Sequence, residues 1–191
     1  MSDSPAKTPK SERTRAAILK AAQDLFAAHG YERTTIRDIA ARASIDAAMV
    51  VRYFGSKDAL FARAAQFDLR LPSLDGVEPA GIGAALVRHA IALWEGDGGG
   101  GLVILLRAAA SNAEAAAKVR EVFAAQVLPA VARAGGKAEA RTRAGLVASQ
   151  MLGLALCRHI LKLPPVAEMS PDDIVRYVGP TIQRYAVGEM E

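Results

Sequence analysis

Two short helix-period stretches, residues 35–43 and 47–53, stand only three residues apart, with Ser44, Ile45 and Asp46 between them. Neither can be stable alone, because isolated helices shorter than about 12 residues are marginal in water. They must brace each other across a tight turn. Thr35, followed three residues on by Asp38, reads as a capping box for the first helix, and Asp46 as the N-cap of the second. Ile39, Ile45, Val50 and Phe54 fall where they can pack the pair together. Longer helical patterns frame the pair. One covers residues 11–29, with Ile18, Leu19, Ala22, Leu25 and Phe26 on one stripe, Gly30 as C-cap and His29 suiting the helix dipole. The other starts from an N-cap at Ser56, after Gly55, and carries Leu60, Phe61, Ala64 and Phe67 on one face. Two short helices joined by a tight turn and flanked by longer ones form a helix-turn-helix.

The rest of the chain is also helical in pattern. Alternating Val-, Thr- and aromatic-rich segments are almost absent, and 51% of the residues are hydrophobic, so the fold class is all-α. Residues 71–79 hold Pro72, Gly76 and Pro79 with little periodicity and mark a boundary between residues 11–70 and 80–187. Residues 1–10 read as a flexible basic arm carrying Lys7 and Lys10. Beyond the boundary, helices are expected at roughly 80–95, 102–110, 112–133, 139–163 and 171–186. The run Gly98, Gly99, Gly100 and Gly101 reads as a flexible loop; it lacks the strand before it and the Lys-Ser/Thr ending of a phosphate-binding loop. Pro164 and Pro165 are expected to stop the penultimate helix, and Ser170, Pro171 and Asp173 to start the last.

Charge and cysteine content narrow the function classes. The net charge of +4 is uneven: residues 1–60 carry ten Lys/Arg against seven Asp/Glu, whereas the remainder is almost balanced. The basic first third suits a polyanionic partner. The lone Cys157 rules out an intrachain disulfide framework and a multi-cysteine zinc site. Its neighbour His159 lies two positions on, about 200° around a helix, so the two cannot form a dyad within one chain, and Cys157 reads as a core residue. No metal site and no cofactor are expected. The polar first residues and the absence of a long apolar run point to a soluble, cytoplasmic chain with no membrane partner.

The segments Thr34-Thr35-Ile36-Arg37-Asp38-Ile39-Ala40, Ala43-Ser44-Ile45-Asp46 and Tyr53-Phe54-Gly55-Ser56-Lys57-Asp58-Ala59-Leu60-Phe61 together resemble the tetracycline-repressor (TetR) family of transcription regulators. The likeness covers residues 13 to about 61. It implies an N-terminal three-helix DNA-binding domain with a helix-turn-helix and a C-terminal helical domain for ligand binding and dimerisation. It also implies phosphate contacts for Thr35, Tyr53 and Lys57 and a base-edge contact for Arg37. Thr34 and Thr35 would add hydroxyls and free N–H groups at a helix start, where phosphate binds well. Ala47, Ala48 and Met49 give the early recognition helix no hydrogen-bonding side chain, so direct readout falls to Arg37, Arg52 and apolar contacts with thymine methyls. Two departures from the family pattern bear on this face. Ser44 stands in place of the usual turn glycine, at about 1 kcal/mol if the left-handed backbone is kept, and Val51 stands in place of a common tyrosine.

In the C-terminal part, residues 141–163 are apolar nearly all round, with Leu146, Val147, Met151, Leu152, Leu154, Leu156, Ile160 and Leu161, and need covering on more than one side. The resemblance implies that this helix and the last one form a four-helix interface with a second copy, matching a near-palindromic double-stranded operator. It further implies a small-molecule effector among these helices. Candidate pocket residues are Phe67, Trp94, Leu105, Phe123, Met151 and His159, and the expected effector is apolar. Arg107 and His89 could anchor it or pair with an acid such as Glu95. The alternatives are a regulator without an effector, or switched by a protein partner, and, more remotely, an all-α enzyme.

Overall fold

A computed structural model of the chain describes residues 10–74, 76–96 and 99–189. The expected basic arm lies outside these residues apart from Lys10, as does Gly98. Every regular element among the described residues is helical. The chain divides into two compact units, one reaching Gln66 and the other starting at Phe67.

The first unit comprises α1 (Lys10–Arg33), α2 (Ile36–Ala43), α3 (Ala47–Phe54) and α4 (Lys57–Ala64). The helical path of α1 breaks where the sequence puts its cap: Gly30 takes φ 79° and ψ 173°, and a single turn resumes as far as Arg33. Ile18, Ala22 and Phe26 from α1 meet Ile39, Val50, Phe54, Leu60 and Phe61 in the core. Within it Phe26, Tyr31 and Phe61 form an aromatic cluster, with Phe26 edge-on to Phe61 at 5.2 Å and Tyr31 edge-on to Phe61 at 4.9 Å. Burial of Phe26 and Phe61, with part of the Tyr31 ring, supplies much of the apolar area that so small a unit can gather. Asp24 of α1 takes Lys20 and Arg42 at 3.0 Å each and so ties α1 to α2. Those two cations, Lys20 first, hold the Asp24 carboxyl below its ordinary range.

The second unit contains α5 (Ile82–Glu95), α6 (Gly99–Ala109), α7 (Ala113–Val122), α8 (Leu128–Gly135), α9 (Ala140–Ala155), the short α10 (Pro164–Ala167) and α11 (Pro171–Val187). A π-helical turn, Phe123–Val127, joins α7 to α8, and another, Leu156–Ile160, extends α9. The core lies around α5, which packs along α11: Val87 and Ile91 are buried on the first, Ile174 and Ile182 on the second. Gln183 locks the start of α5: its Oε1 accepts from the Gly83 N–H at 2.7 Å and its Nε2 donates to the Pro79 carbonyl at 2.7 Å. Arg143, 9% exposed, donates to the Tyr185 carbonyl at 3.3 Å and joins α9 to α11.

Three sequence expectations differ from the structure. Gly99 and Gly101 are not loop residues; both are buried in α6, which begins at Gly99. A Cβ on Gly99 would lie 1.9 Å from the Trp94 carbonyl oxygen, so only glycine lets the new helix start against the end of the previous one. Phe67 does not ride on α4, which stops at Ala64, but belongs to the second unit. Cys157 is only part-buried and lies in a shallow groove with Gly153, Tyr177 and Val178 rather than in the core. Pro164 and Pro165 do more than stop a helix: they open the short α10.

Candidate functional site

The geometry of the helix-turn-helix is set by three caps. Thr35 is the N-cap of α2, and the exchange with Asp38 is reciprocal: Asp38 N–H donates to Thr35 Oγ1 at 3.2 Å and Thr35 N–H donates to Asp38 Oδ2 at 2.9 Å. The Thr35 hydroxyl also donates to Asp38 Oδ2 at 2.7 Å. These bonds, the hydroxyl first, hold the Asp38 carboxyl below its ordinary range. At the other end of α2, Ser44 takes φ 55° and ψ 44°, the left-handed conformation, and its N–H reaches the Ala41 carbonyl at 3.1 Å. Asp46 then starts α3 by accepting from Ala48 N–H at 2.7 Å. Ser56 caps α4 in the same way through Ala59 N–H at 3.1 Å.

This frame fixes which side chains face outward. Val50 and Phe54 turn into the core, while Ala48, Val51 and Arg52 are exposed, with Val51 47% exposed. Ala47, Met49 and Tyr53 lie part-buried on the same helix. Arg37, in the first turn of α2, is exposed as well. Among the described residues, neither Arg37 nor Arg52 makes an ion pair or a hydrogen bond through its side chain, so both guanidinium groups are available for a partner. Lys57 sits at the start of α4 with its ammonium 4.1 Å from the centre of the Tyr31 ring, and the Tyr31 hydroxyl donates to the Asp58 carboxylate. Tyr31 and Asp58 carry no mark of this role in the sequence, yet they fix the place of Lys57. The Tyr53 hydroxyl lies 3.5 Å from Ser11 Oγ.

Thr34 departs from its expected role as a phosphate ligand. It is 1% exposed, and its hydroxyl donates to the Gly30 carbonyl at 2.8 Å, with the Leu25 carbonyl at 3.3 Å. That hydroxyl closes the kink at Gly30 and is out of reach of a phosphate. Thr35 keeps an exposed position, but its N–H and hydroxyl are taken by Asp38. The first-turn N–H groups of Ile36 and Arg37 are the ones that helix geometry leaves without an intrahelical partner.

The second unit holds a cavity of about 260 Å³. Of the six side chains named for it from sequence, Phe67, Trp94, Leu105, Phe123 and Met151 all line it. His159 does not; its ring stands edge-on to Trp94 at 5.9 Å, behind the lining. Burial first, and then the Arg158 charge, hold its pKa below the ordinary 6.5, with Glu95 acting the other way. The lining is apolar except for Arg120, which sequence reasoning missed along with Leu69 and six further apolar residues. The Phe67–Leu69 stretch is pinned from both sides, because Leu69 N–H donates to Gln126 Oε1 at 2.9 Å and His89 Nε2 bonds the Leu69 carbonyl at 2.7 Å. His89 is thereby engaged as a structural residue. Glu95 pairs with neither His89 nor Arg107 but with Arg158, at 2.7 Å. The π-helical turn contributes both Phe123 and Val127 to the cavity wall. Such turns recur where a helix must open toward a ligand site.

Comparison with known proteins decides what kind of molecule carries these features. The family described as "Tetracyclin repressor-like, C-terminal domain" matches residues 80–186, more than half of the chain, and "Bacterial regulatory proteins, tetR family" matches residues 18–64.

The chain belongs to the TetR family of bacterial regulators.

Among similar proteins, the HTH-type transcriptional repressor Rv3405c of Mycobacterium tuberculosis is 55% identical over 49 residues, 26% of this chain and 26% of that protein. The match thus spans about a quarter of the curated relative's length. Solved structures extend the likeness across the chain. A TetR-family regulator from Streptomyces coelicolor is 28% identical with a TM-score of 0.55, covering 95% of this chain and 98% of that one. A TetR-like regulator from Rhodococcus sp. RHA1 has 20% identity and a TM-score of 0.70, over 94% and 96%. NalD of Pseudomonas aeruginosa has 19% identity and a TM-score of 0.67, over 95% and 100%. The last two likenesses are of fold. Among the described residues, no helix of this TetR-family chain is long and apolar enough to cross a membrane.

Proposed function

We propose that the protein is a ligand-responsive repressor that binds a near-palindromic operator as a homodimer and leaves it when a small, largely apolar molecule occupies the cavity. The observation that carries the DNA reading is the outer face of α2 and α3, where Arg37 and Arg52 are exposed and unpaired beside the exposed Val51. Arginine suits guanine O6 and N7, and an apolar side chain suits the thymine methyl. Lys57 and the first-turn N–H groups of α2 supply phosphate contacts that set register. Tyr53 adds a neutral contact to the backbone, Thr35 serves by capping α2, and Ala47, Ala48 and Met49 let α3 approach the groove closely.

Dimerisation is supported by apolar surface on the second unit. Leu156, Leu161 and Tyr177 are 38%, 56% and 60% exposed, along the extension of α9 and on α11. Gly153 and Cys157 lie in the groove between these elements. A second copy related by a twofold axis would cover that surface and place two reading heads on one face of the duplex. Repression is supported by two of the similar proteins: Rv3405c is named a transcriptional repressor, and NalD is described as the secondary repressor of a multidrug efflux pump. The effector reading rests on the apolar cavity, which favours it over an effector-independent regulator. An occupant that prefers the DNA-incompetent state weakens operator binding, and reciprocity requires DNA to weaken the occupant equally. On this reading the protein works in the cytoplasm, needs no cofactor and catalyses nothing.

The test is binding of the purified protein to the intergenic DNA upstream of its own reading frame, with random DNA as competitor and salt varied. The expected result is protection of one near-palindrome by a dimer, with affinity falling steeply as salt rises. Weak binding that ignores sequence in that region and in a genome-wide site selection overturns the proposal.

A further inference from the structure

Resting on the effector-cavity reading, we infer that the occupant is an amphiphilic acid, with an apolar body inside the cavity and one carboxylate at the rim held by Arg120. The interior offers no cation and no hydrogen-bonding side chain beyond the Trp94 indole, whose Nε1 is itself buried without a partner. An ion carried inside would stay uncompensated, at a prohibitive desolvation cost. Arg120 is the one charged residue among the lining side chains, and it is exposed on α7. An arginine in that place lays its aliphatic stem against the apolar wall and keeps its guanidinium in water.

That guanidinium has no competing acid. Arg120 makes no ion pair and no side-chain hydrogen bond among the described residues. The positions one turn away on its helix are Ala116, Ala117, Phe123 and Ala124, none of them acidic. The adjacent Glu121 is occupied, with both carboxylate oxygens 2.9 Å from Lys118 Nζ. The pattern is an apolar cavity with one free cation at its edge, and no anion among its lining residues. A neutral hydrophobe would use the cavity alone. A carboxylate amphiphile uses both features, because the planar fork of arginine matches a carboxylate bidentately. An alkylammonium head would meet a like charge.

The test follows displacement of N-phenyl-1-naphthylamine, a neutral fluorescent probe, from the full-length protein by decanoate, decan-1-ol and decylamine. These competitors share a chain and differ in head group. In Arg120→Gln, decanoate affinity is expected to fall about fivefold, the scale of an exposed ion pair. Decan-1-ol should stay within about twofold, and decylamine should bind more tightly, which isolates the head-group interaction. Equal changes for decanoate and decan-1-ol, or none for either, overturn the assignment of an acid while leaving the effector cavity in place. Ala148→Phe places a ring in the lining. If that variant, with its helical circular dichroism intact, takes up the probe as the wild type does, or the wild type takes up none, the cavity is not an effector site. The inference about Arg120 then falls with it.

Discussion

Arg158 Nη2 lies 2.7 Å from Glu95 Oε1, while Nη1 of the same guanidinium donates to the carbonyls of Val166, Ala167 and Met169 at 2.8–3.1 Å. One side chain, 11% exposed, thus clasps the end of α5 to the irregular stretch that carries α10. Losing it leaves three carbonyls and a carboxylate without their donor. Arg158→Met is expected to lower unfolding free energy by about 3 kcal/mol. Glu95 is more exposed, so Glu95→Gln should cost only about 1 kcal/mol. Urea unfolding of the two variants checks the order, and sequence preference on DNA should be unchanged in both.

Arg37 and Arg52 should separate from Lys57 in what their loss does. Arg37→Ala and Arg52→Ala are each expected to cost about 1–3 kcal/mol at one operator position and to relax discrimination there. Lys57→Ala should weaken every duplex alike and reduce the salt dependence by about one counterion. Titrations over a set of singly mutated operators distinguish the two patterns, and a reversal would reject the proposed division of labour.

The turn residue Ser44 holds a left-handed backbone, φ 55°, that costs an L-residue roughly 1 kcal/mol relative to glycine. Ser44→Gly should therefore raise stability, by about 0.5 kcal/mol once the freer unfolded chain is counted. The sign is the test: a lower melting temperature would mean that the serine hydroxyl contributes more than the strain removes.

His159 gives the second unit a pH dependence below about pH 6.5. Its pKa is depressed on folding, chiefly by burial, so below about pH 6.5 the unfolded chain binds more protons than the folded one. Stability is thus full above pH 6.5 and is lost as pH falls through the folded-state value. His159→Phe should flatten the curve below pH 6.5 in chemical unfolding. Asp24 and Asp38, also depressed, lose their contributions only at lower pH, below their ordinary 3.8.

Much of this architecture was legible because its signals are local. The caps at Thr35, Asp46, Ser56 and Ser170 are read from a side chain and the N–H two or three residues on, so each appears where the sequence puts it. Five cavity residues could be named in advance because the family resemblance implies a pocket among these helices and few large apolar side chains are there to line it. What escaped depends on contacts between distant segments. Gly99 and Gly101 look like a loop until α6 buries both and the Trp94 carbonyl stands against Gly99. Thr34 looks like a phosphate ligand until the kink at Gly30 turns its hydroxyl inward. Arg120 has no sequence neighbour that marks it as part of a cavity rim. The insertion of a π-turn after α7, which brings Phe123 and Val127 to the wall, leaves no trace in the hydrophobic period.

The cavity also bears on how long a molecule of this protein persists. Side chains that border a void forgo the dispersion contacts of a close-packed interior. A compound seated there restores those contacts to the folded chain alone, because the unfolded chain has no cavity to fill. At a hundred times its dissociation constant, such a compound adds about 2.7 kcal/mol to stability. Proteolysis that proceeds through the unfolded form would slow about a hundredfold. On the proposed function, a compound that lowered occupancy of the operator would then also raise the number of protein copies, and the dose response of a promoter would carry both effects with opposite signs.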